Sequence, residues 1–368
     1  MIIKKINIFN FRNIGELLIS PFEGINLFAG ENAQGKSNAL EALVVAVTGR
    51  AFRTNKDAEL IKWGENKSRL SAVVDDLGFE SRITVDLDIT KGIKKRISIE
   101  NKAIKRLSQF ISRIDSVIFS RNDLLRISGE PFLRRSFLDR LISMIKPEYL
   151  FKLQKYHTLL RQKSLLLKQY PVQIAVIDIL NEQLSLYGAG IILDRESIVK
   201  KLSSLSEILF GKLFGNNDIL ELEYVSQNKK NISNEEELCI YLKKRLDYCR
   251  NNEIDRKMIL EGIQRDDILI TINKMPLKIY GSQGQKRFAS VVLKLAEGEV
   301  YNLVKKKKPI IFMDDCFSEI DDFRREYLWR YLSECGQVFL TANDVPKKKN
   351  LRIFMIKEGK TENIVYEY

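Results

Sequence analysis

Histidine is almost absent from this chain: 368 residues contain one, His157. Chemistry that moves protons through a histidine base, or a metal centre built on imidazoles, has almost nothing to draw on. His157 falls on a helical stripe and reads as an ordinary helix residue. Cysteine is scarce as well. The four, at 239, 249, 316 and 335, form no C-x-x-C pair, which removes the usual spacing of a structural zinc site and fits a reducing compartment. No apolar run approaches the ~20 residues needed to cross a bilayer. The N-terminus sets Ile2, Ile3, Ile6 and Ile8 around Lys4 and Lys5, a strand pattern with no signal-peptide core. A cytoplasmic protein without a membrane partner is expected. There is no internal repeat and no low-complexity tract.

What is present is an ordinary globular composition, 45% hydrophobic and 30% charged, over a length that suggests more than one domain. The formal charge of +13 suits a polyanionic partner such as DNA, and equally a lysine-rich solvated surface. The run Lys305 to Lys308 precedes an apolar strand and reads as an exposed turn.

Periodicity divides the chain in three. Residues 1–120 read as strands with one strong helix, which starts near Lys36 and is stopped by Gly49. Stretches around Ser71–Val74, Arg82–Ile89 and Lys95–Ile99 read as strands. Residues 121–215 change to helical spacing, with stripes through Phe137, Leu141 and Ile145, through Leu150, Leu153 and Leu160, and through Leu180, Leu184 and Ile191. Residues 216–368 return to strand–helix alternation, with strands at Leu220–Val225 and Ile268–Ile272 and a helix around Glu235–Tyr248. The expected architecture is an α/β head assembled from both ends of the chain, with an all-helical arm inserted between.

The strongest motif is Gly30-Glu31-Asn32-Ala33-Gln34-Gly35-Lys36-Ser37, preceded by the apolar strand Ile25–Ala29 and followed by a helix. Its glycines let backbone N–H groups close around phosphate oxygens, and the helix adds the positive end of its dipole. Lys36 is expected on the β- and γ-phosphates and the Ser37 hydroxyl on Mg2+. Such a loop needs a carboxylate for the metal. Pro309-Ile310-Ile311-Phe312-Met313-Asp314-Asp315 supplies one at the end of a buried strand. Asp314 is expected to hold Mg2+ through water, and Asp315 to orient or deprotonate the attacking water. Lys36 and Asp314 lie near opposite ends of the chain, unlike the compact arrangement of a kinase or GTPase. A third motif, Gly281-Ser282-Gln283-Gly284-Gln285, opens an apolar helix and offers a hydroxyl and free N–H groups to an anion. Alone it would be a helix cap.

Together these motifs resemble the RecF family of ABC-type, SMC-like ATPase heads, over essentially the whole length. The resemblance also rests on Asn10-Phe11-Arg12-Asn13, Leu40-Glu41-Ala42, Phe52-Arg53-Thr54, Gly129-Glu130-Pro131, Arg134-Arg135, Leu138-Asp139 and Ser318-Glu319-Ile320-Asp321. It implies a P-loop fold and ATP with Mg2+ as cofactors. It implies a homodimer when ATP is bound, with Ser282, Gly284 and Gln285 of one copy facing the P-loop of the other. It implies duplex and gapped DNA as partners, RecR, RecO and RecA in the same pathway, and slow hydrolysis. Arg12 is expected either to approach the nucleotide or to end a strand. Asp321 is expected either to signal across the dimer or to cap a helix. The family's Gly-Pro-His-Arg-Asp-Asp stands here as Gly262-Ile263-Gln264-Arg265-Asp266-Asp267, and its Ser-Pro-Glu-Asp as Ser120-Arg121-Asn122-Asp123. A transport ATPase, a nuclease-associated ATPase, a nucleotide-locked scaffold and a small-molecule kinase are the competing classes. The lack of a span, of an acidic C-terminal domain and of an acceptor lid weighs against all but the scaffold.

Overall fold

The computed structural model describes residues 1–90, 92–104, 110, 114–214, 218–226, 232–317, 320–346 and 350–362. The chain opens with strands β1 (Ile2–Phe11), β2 (Ile14–Ile19) and β3 (Ile25–Ala29), then helix α1 (Lys36–Thr48). Strands β4 (Lys67–Asp76), β5 (Phe79–Asp88), β6 (Lys94–Ile99) and β7 (Lys102–Ala103) lead to β8 (Ser116–Phe119). Helices α2 (Leu124–Ser128), α3 (Pro131–Ile145), α4 (Pro147–Leu166) and α5 (Ile174–Phe214) follow. Next come β9 (Leu220–Val225), α6 (Glu235–Arg256), β10 (Asp267–Ile272), β11 (Met275–Pro276), α7 (Leu277–Tyr280) and α8 (Gln283–Lys305). The last elements are β12 (Ile310–Met313), α9 (Asp322–Glu334), β13 (Val338–Ala342), β14 (Leu351–Lys357) and β15 (Lys360–Glu362).

Two compact units result, Met1–Asp123 with Glu297–Tyr368, and Leu124–Ala296. In the first, α1 lies between two sheets. One is antiparallel, in the order β2-β1-β4-β5-β6-β7; the other runs β15-β14-β3-β13-β12-β8. In β1, Ile6 and Ile8 are buried while Asn7 and Phe9 are exposed, the alternation of a sheet with one covered face. In the second sheet β3, β8 and β12 are buried at every position, as strands covered on both faces must be. Ala39 to Val47 of α1 are likewise all buried, because the helix touches β1, β4 and β5 on one side and β3 and β13 on the other. Gly49 ends it in the left-handed region, φ 70°, with its N–H on Val45 O.

The second unit is built on α5, 41 residues long, against which α4, α6 and β9 pack. It carries its own sheet, β11-β10-β9. It is therefore not purely helical, and compactness divides the chain after residues 123 and 296, where the sequence pattern placed divisions after 120 and 215. The segment from 218 to 296 groups with the helices because β9 and α6 bury their apolar faces, Leu220, Leu222, Leu238, Leu242 and Leu246 among them, within this unit. By length and composition α5 could cross a membrane, but more than half of its most apolar stretch is buried in the fold.

Candidate nucleotide site

β3 delivers the chain into a tight loop. Gly30 sits at φ 143°, and a Cβ there would lie 2.5 Å from the carbonyl oxygen of Ile356 on β14, so only glycine fits. Glu31, Asn32 and Ala33 are exposed at the tip, with Ala33 in the left-handed region. Gln34 pins the loop from behind: its Oε1 accepts from Glu358 N–H at 2.8 Å and its carbonyl from Gly359 N–H at 3.0 Å. Gly35, at φ 108°, is the N-cap of α1, and a Cβ there would meet the Asn13 amide at 2.8 Å.

Lys36 Nζ donates to Gly30 O at 2.5 Å, to Glu31 O at 2.8 Å and to Asn343 Oδ1 at 2.9 Å. Burial pushes its pKa below the ordinary lysine value, with Asp315, Asp314 and Asp344 pulling the other way. Ser37 Oγ donates to Asp314 Oδ1 at 2.7 Å, and Thr341 Oγ1 donates to the same oxygen at 2.9 Å. Asp314 is buried, its N–H on Phe119 O at 3.0 Å; Asp315, at φ 53°, gives its N–H to Thr341 Oγ1 at 2.8 Å. Strand order explains the meeting. β13 lies between β3 and β12, so Thr341 at its end bridges the loop side and the carboxylate side. Sequence reasoning found Ser37 and Asp314 but not Thr341 or Asn343, which belong to no local motif. A cavity of about 200 Å³ opens beside them, lined by Asp315, Phe317, Arg325, Trp329, Asn343 and Asp344.

Arg12 is held by a carboxylate. Its Nε and a terminal nitrogen lie 3.1 and 3.0 Å from Glu41 Oε2, and Glu41 is fully buried. Arg53 shares that carboxylate, with its Nε 3.1 Å from Oε2 and its backbone N–H 3.1 Å from Oε1, and it also reaches Asn38 Oδ1 at 2.5 Å. Glu41 thus anchors two guanidiniums beside the first turn of the loop helix.

In the other unit, Ser282 and Gln285 form a capping box at the start of α8. Ser282 N–H donates to Gln285 Oε1 at 2.9 Å, and Gln285 N–H to Ser282 Oγ at 3.1 Å. Ser282, Gln283 and Gly284 are exposed. A Cβ on Gly284 would meet only Ser282 Oγ, at 3.8 Å, whereas one on Gly281 would strike Leu277 at 2.4 Å. Asp321 caps α9, accepting from Arg324 N–H at 3.0 Å. Ser318 and Glu319 lie outside the described residues.

A model of the RecF/RecN/SMC N terminal domain matches residues 2–357. The DNA replication and repair protein RecF of Clostridium botulinum (strain Okra / Type B1) is 32% identical over 371 residues, 99% of this chain and 100% of that protein. RecF of Halothermothrix orenii is 34% identical over 369 residues, covering 99% and 98%. The chain belongs to the RecF family. Solved structures agree. The recombination mediator protein RecF-ATP in the RecFOR pathway superposes with a TM-score of 0.90 at 31% identity, over 99% of both chains. The RecF-ATPrS structure gives 0.87 at 31% identity, over 99% of this chain and 98% of that one. An Smc head bound to the C-winged helix domain of ScpA, at TM-score 0.60 and 12% identity, shares the fold alone.

The RecF-type residues that sequence reasoning left without a role form the core of the second unit. Arg195, almost fully buried, lies 2.9 and 3.0 Å from the two oxygens of Asp139, 3.1 Å from Ile263 O and 3.6 Å from Asp266 Oδ2. Its environment of tyrosines and carboxylates holds its pKa far above the ordinary arginine value against desolvation. Tyr224 donates to Asp266 at 2.5 Å, Arg135 to the Asp266 carbonyl at 2.6 Å, and Arg134 binds Asp267 with two nitrogens at 2.7 and 2.8 Å. Arg134, Arg135, Asp139, Asp266 and Asp267 are thus structural ties. Ile263 and Gln264, where this chain departs from the family pattern, join the same loop: Gln264 Oε1 accepts from Tyr156 at 3.3 Å.

Proposed function

We propose that this chain is an ATP-driven recombination mediator. It binds ATP with Mg2+, pairs with a second copy across the nucleotide, clamps duplex DNA beside single-strand gaps, and hydrolyses ATP slowly to let go. In this reading it works with RecR and RecO to help RecA load. The observation that carries the reading is the meeting of Lys36 and Ser37 with Asp314, Thr341 and Asn343 at the carboxyl ends of the adjacent strands β3, β13 and β12, although the two groups lie far apart in sequence.

The donor set fits Mg2+. That ion keeps several waters and takes only one or two protein oxygens beside phosphates. Ser37 Oγ and Asp314 Oδ1, 2.7 Å apart, offer such a pair, and among the described residues there is no cluster of three or more His, Cys, Asp or Glu able to hold a metal by itself. When bound, the ion would supply positive charge that neutralises the triphosphate. The loop N–H groups and Lys36 take the phosphates, Lys36 exchanging carbonyl oxygens for phosphate oxygens. Asp315 faces the cavity beside Asn343 and serves to orient the attacking water. Ser282, Gly284 and Gln285 of the second copy would cap the γ-phosphate, so cleavage removes the group that both copies grip. DNA would be held by its phosphates, since gap repair has no sequence to read.

Light scattering with ATP and Mg2+ tests the scheme. A dimer is expected with ATP and a monomer without. Lys36→Ala abolishes nucleotide binding; Ser282→Ala binds ATP but stays monomeric. A monomer under every nucleotide condition refutes the shared site. Gel shifts with gapped and intact duplex, with and without ATP, test the clamp, and steady-state phosphate release separates a slow ATPase from a locked scaffold.

A further inference from the structure

Helix α4 and the loop between α6 and β10 enclose a cavity of about 540 Å³, lined only by residues of the second unit. One wall is a single face of the helix, where His157, Arg161 and Leu165 recur every fourth residue with Leu160 beside them. From His157 to Leu165 the helix rises about 12 Å, which sets the length of a groove. The other wall is Ile259, Gln264 and Arg265. Hydrogen bonds hold that wall against the helix. Ile263 N–H donates to the Tyr156 hydroxyl at 3.3 Å, that hydroxyl donates to Gln264 Oε1 at 3.3 Å, and Gln264 Nε2 donates to Glu261 O at 2.8 Å. Arg265 is steadied by one nitrogen, Nη2, on Ile259 O at 2.9 Å. The charge of the groove has one sign. Among the described residues no carboxylate lines it, and neither Arg161 nor Arg265 has an ion-pair partner, although Arg134, Arg195, Arg245 and Arg250 of the same unit each pair with an Asp or Glu. Burial lowers the His157 pKa, and Arg195 and Arg161 lower it further against Asp139, so the two guanidiniums carry the charge at neutral pH. Leu165 is 60% exposed, and with Leu160 and Ile259 it gives the groove an apolar lining.

From this geometry we infer that the groove is a docking site for a short acidic segment of a partner protein, with an apolar side chain of that segment against Leu160, Leu165 and Ile259 and its carboxylates on Arg161 and Arg265. The inference goes beyond the nucleotide reading and does not depend on it. Charge complementarity selects the class of partner. A planar guanidinium can bind a carboxylate through two parallel hydrogen bonds, and these two have no acid of their own chain to do so. The apolar lining separates a peptide from a nucleic-acid backbone, whose phosphates and sugars bring no side chain to bury. A groove of this length takes about three or four residues of an extended peptide at ~3.3 Å each. Gln264, where this chain departs from the RecF pattern, and the chain's one histidine both line the groove, so its walls differ from that pattern where the ligand would lie.

The probe is an array of pentapeptides in which acidic, basic, polar and apolar residues are permuted, read with the full-length protein. Peptides that set two or more Asp or Glu beside a Leu, Ile or Phe are expected to bind, and to lose binding when the acids become Lys or the apolar residue becomes Ser. The best acidic peptide is then titrated against variants. Arg161 and Arg265 are both exposed, so the double variant Arg161→Ala/Arg265→Ala keeps its melting temperature and its ATP affinity. Its peptide affinity should fall by at least about tenfold, the product of two exposed charge pairs. Leu165→Ser, which leaves every charge in place, should weaken the same peptide, and Arg161→Lys/Arg265→Lys should recover part of the loss. An array with no preference for acidic–apolar members overturns the proposal, as does a double alanine variant that binds the peptide like wild type. A gel shift with duplex DNA runs in parallel. A double variant that loses duplex affinity and keeps peptide affinity means that the groove holds phosphates, and the proposal fails.

Discussion

Gly284 is the position where two demands can be separated by one methyl group. Inside its own chain nothing requires glycine there: the residue lies in the first turn of α8, a Cβ would meet only Ser282 Oγ at 3.8 Å, and its φ is not in the left-handed range. Glycine in a helix costs up to about 1 kcal/mol relative to alanine, less near an end. Gly284→Ala should therefore stabilise the nucleotide-free protein by about 0.5 kcal/mol, or about 1–2 °C for a unit of this size. If the turn closes on the γ-phosphate held by a second copy, the same methyl occupies the space the phosphate needs. ATP-driven dimerisation should then weaken by at least about tenfold, equivalent to about 1.4 kcal/mol. Calorimetry without nucleotide reads the first effect, and light scattering with ATP and Mg2+ reads the second. A variant that melts lower than wild type contradicts the open space around Gly284. One that dimerises normally means the glycine does not face a partner's phosphate.

Three further outcomes follow from the site. Glu41→Ala leaves the Arg12 and Arg53 guanidiniums without their shared buried carboxylate; a loss of about 2–4 kcal/mol is expected in a urea midpoint after discounting for the arginines' partial exposure, with a smaller loss for Glu41→Gln. Thr341→Val keeps the shape but removes the donor to Asp314 and the acceptor for Asp315 N–H; it should cost about 1–3 kcal/mol and slow Mg2+-dependent phosphate release. Lys36 titrates below its ordinary 10.5 because it is buried. The folded chain sheds this proton before the unfolded one, so the penalty for charging Lys36 is complete at neutral pH and fades as pH rises through the lowered pKa. Bound triphosphate restores the proton, so ATP affinity should fall as pH rises through that lowered pKa. Lys36→Arg, which stays charged, should flatten the profile, and a flat profile in the wild type would remove burial as the cause.

How much of this was readable beforehand depended on whether a residue's reason lies nearby in sequence. Gly30, Gly35, Lys36 and Ser37 sit in one loop whose backbone shape the glycines dictate, so spacing alone located them. The alternation in Leu220–Val225 likewise announced a strand with the observed ends, but said nothing about what it packs on. That is why residues following 215 were expected with the head, while β9 and α6 in fact bury their apolar faces within the α5 unit. Thr341 and Asn343 gave no signal at all. Each matters because the strand order brings its strand end beside the loop, a property of the sheet and not of the local sequence. Arg12 was expected either to approach the nucleotide or to end a strand. Its partner Glu41 stood only within Leu40-Glu41-Ala42 as part of the family resemblance, and its burial between two sheets is what makes it hold two arginines.

The strand order also explains why the phosphate cradle cannot belong to the N-terminal segment that carries its motif. β3 has β13 on one side and β14 on the other, both from the last part of the chain, and β8 meets the sheet only through β12. Gly30 needs its glycine because Ile356 presses on it, Gln34 is fixed by Glu358 and Gly359, and Lys36 is oriented by Asn343. Among the described residues, the outside contacts that shape this loop therefore come from beyond residue 340, apart from those of Asn13 and the Ser37–Asp314 bond. A chain ending before β12 would keep the whole glycine motif and lose both neighbours of β3, the Asp314 carboxylate that holds Ser37 and the Asn343 amide that holds Lys36. Insertion of a large unit between the two halves is tolerated because the halves pair through parallel strands whose register, Leu27 with Leu340 and with Ile353, is set by buried side chains and not by the length of the connection.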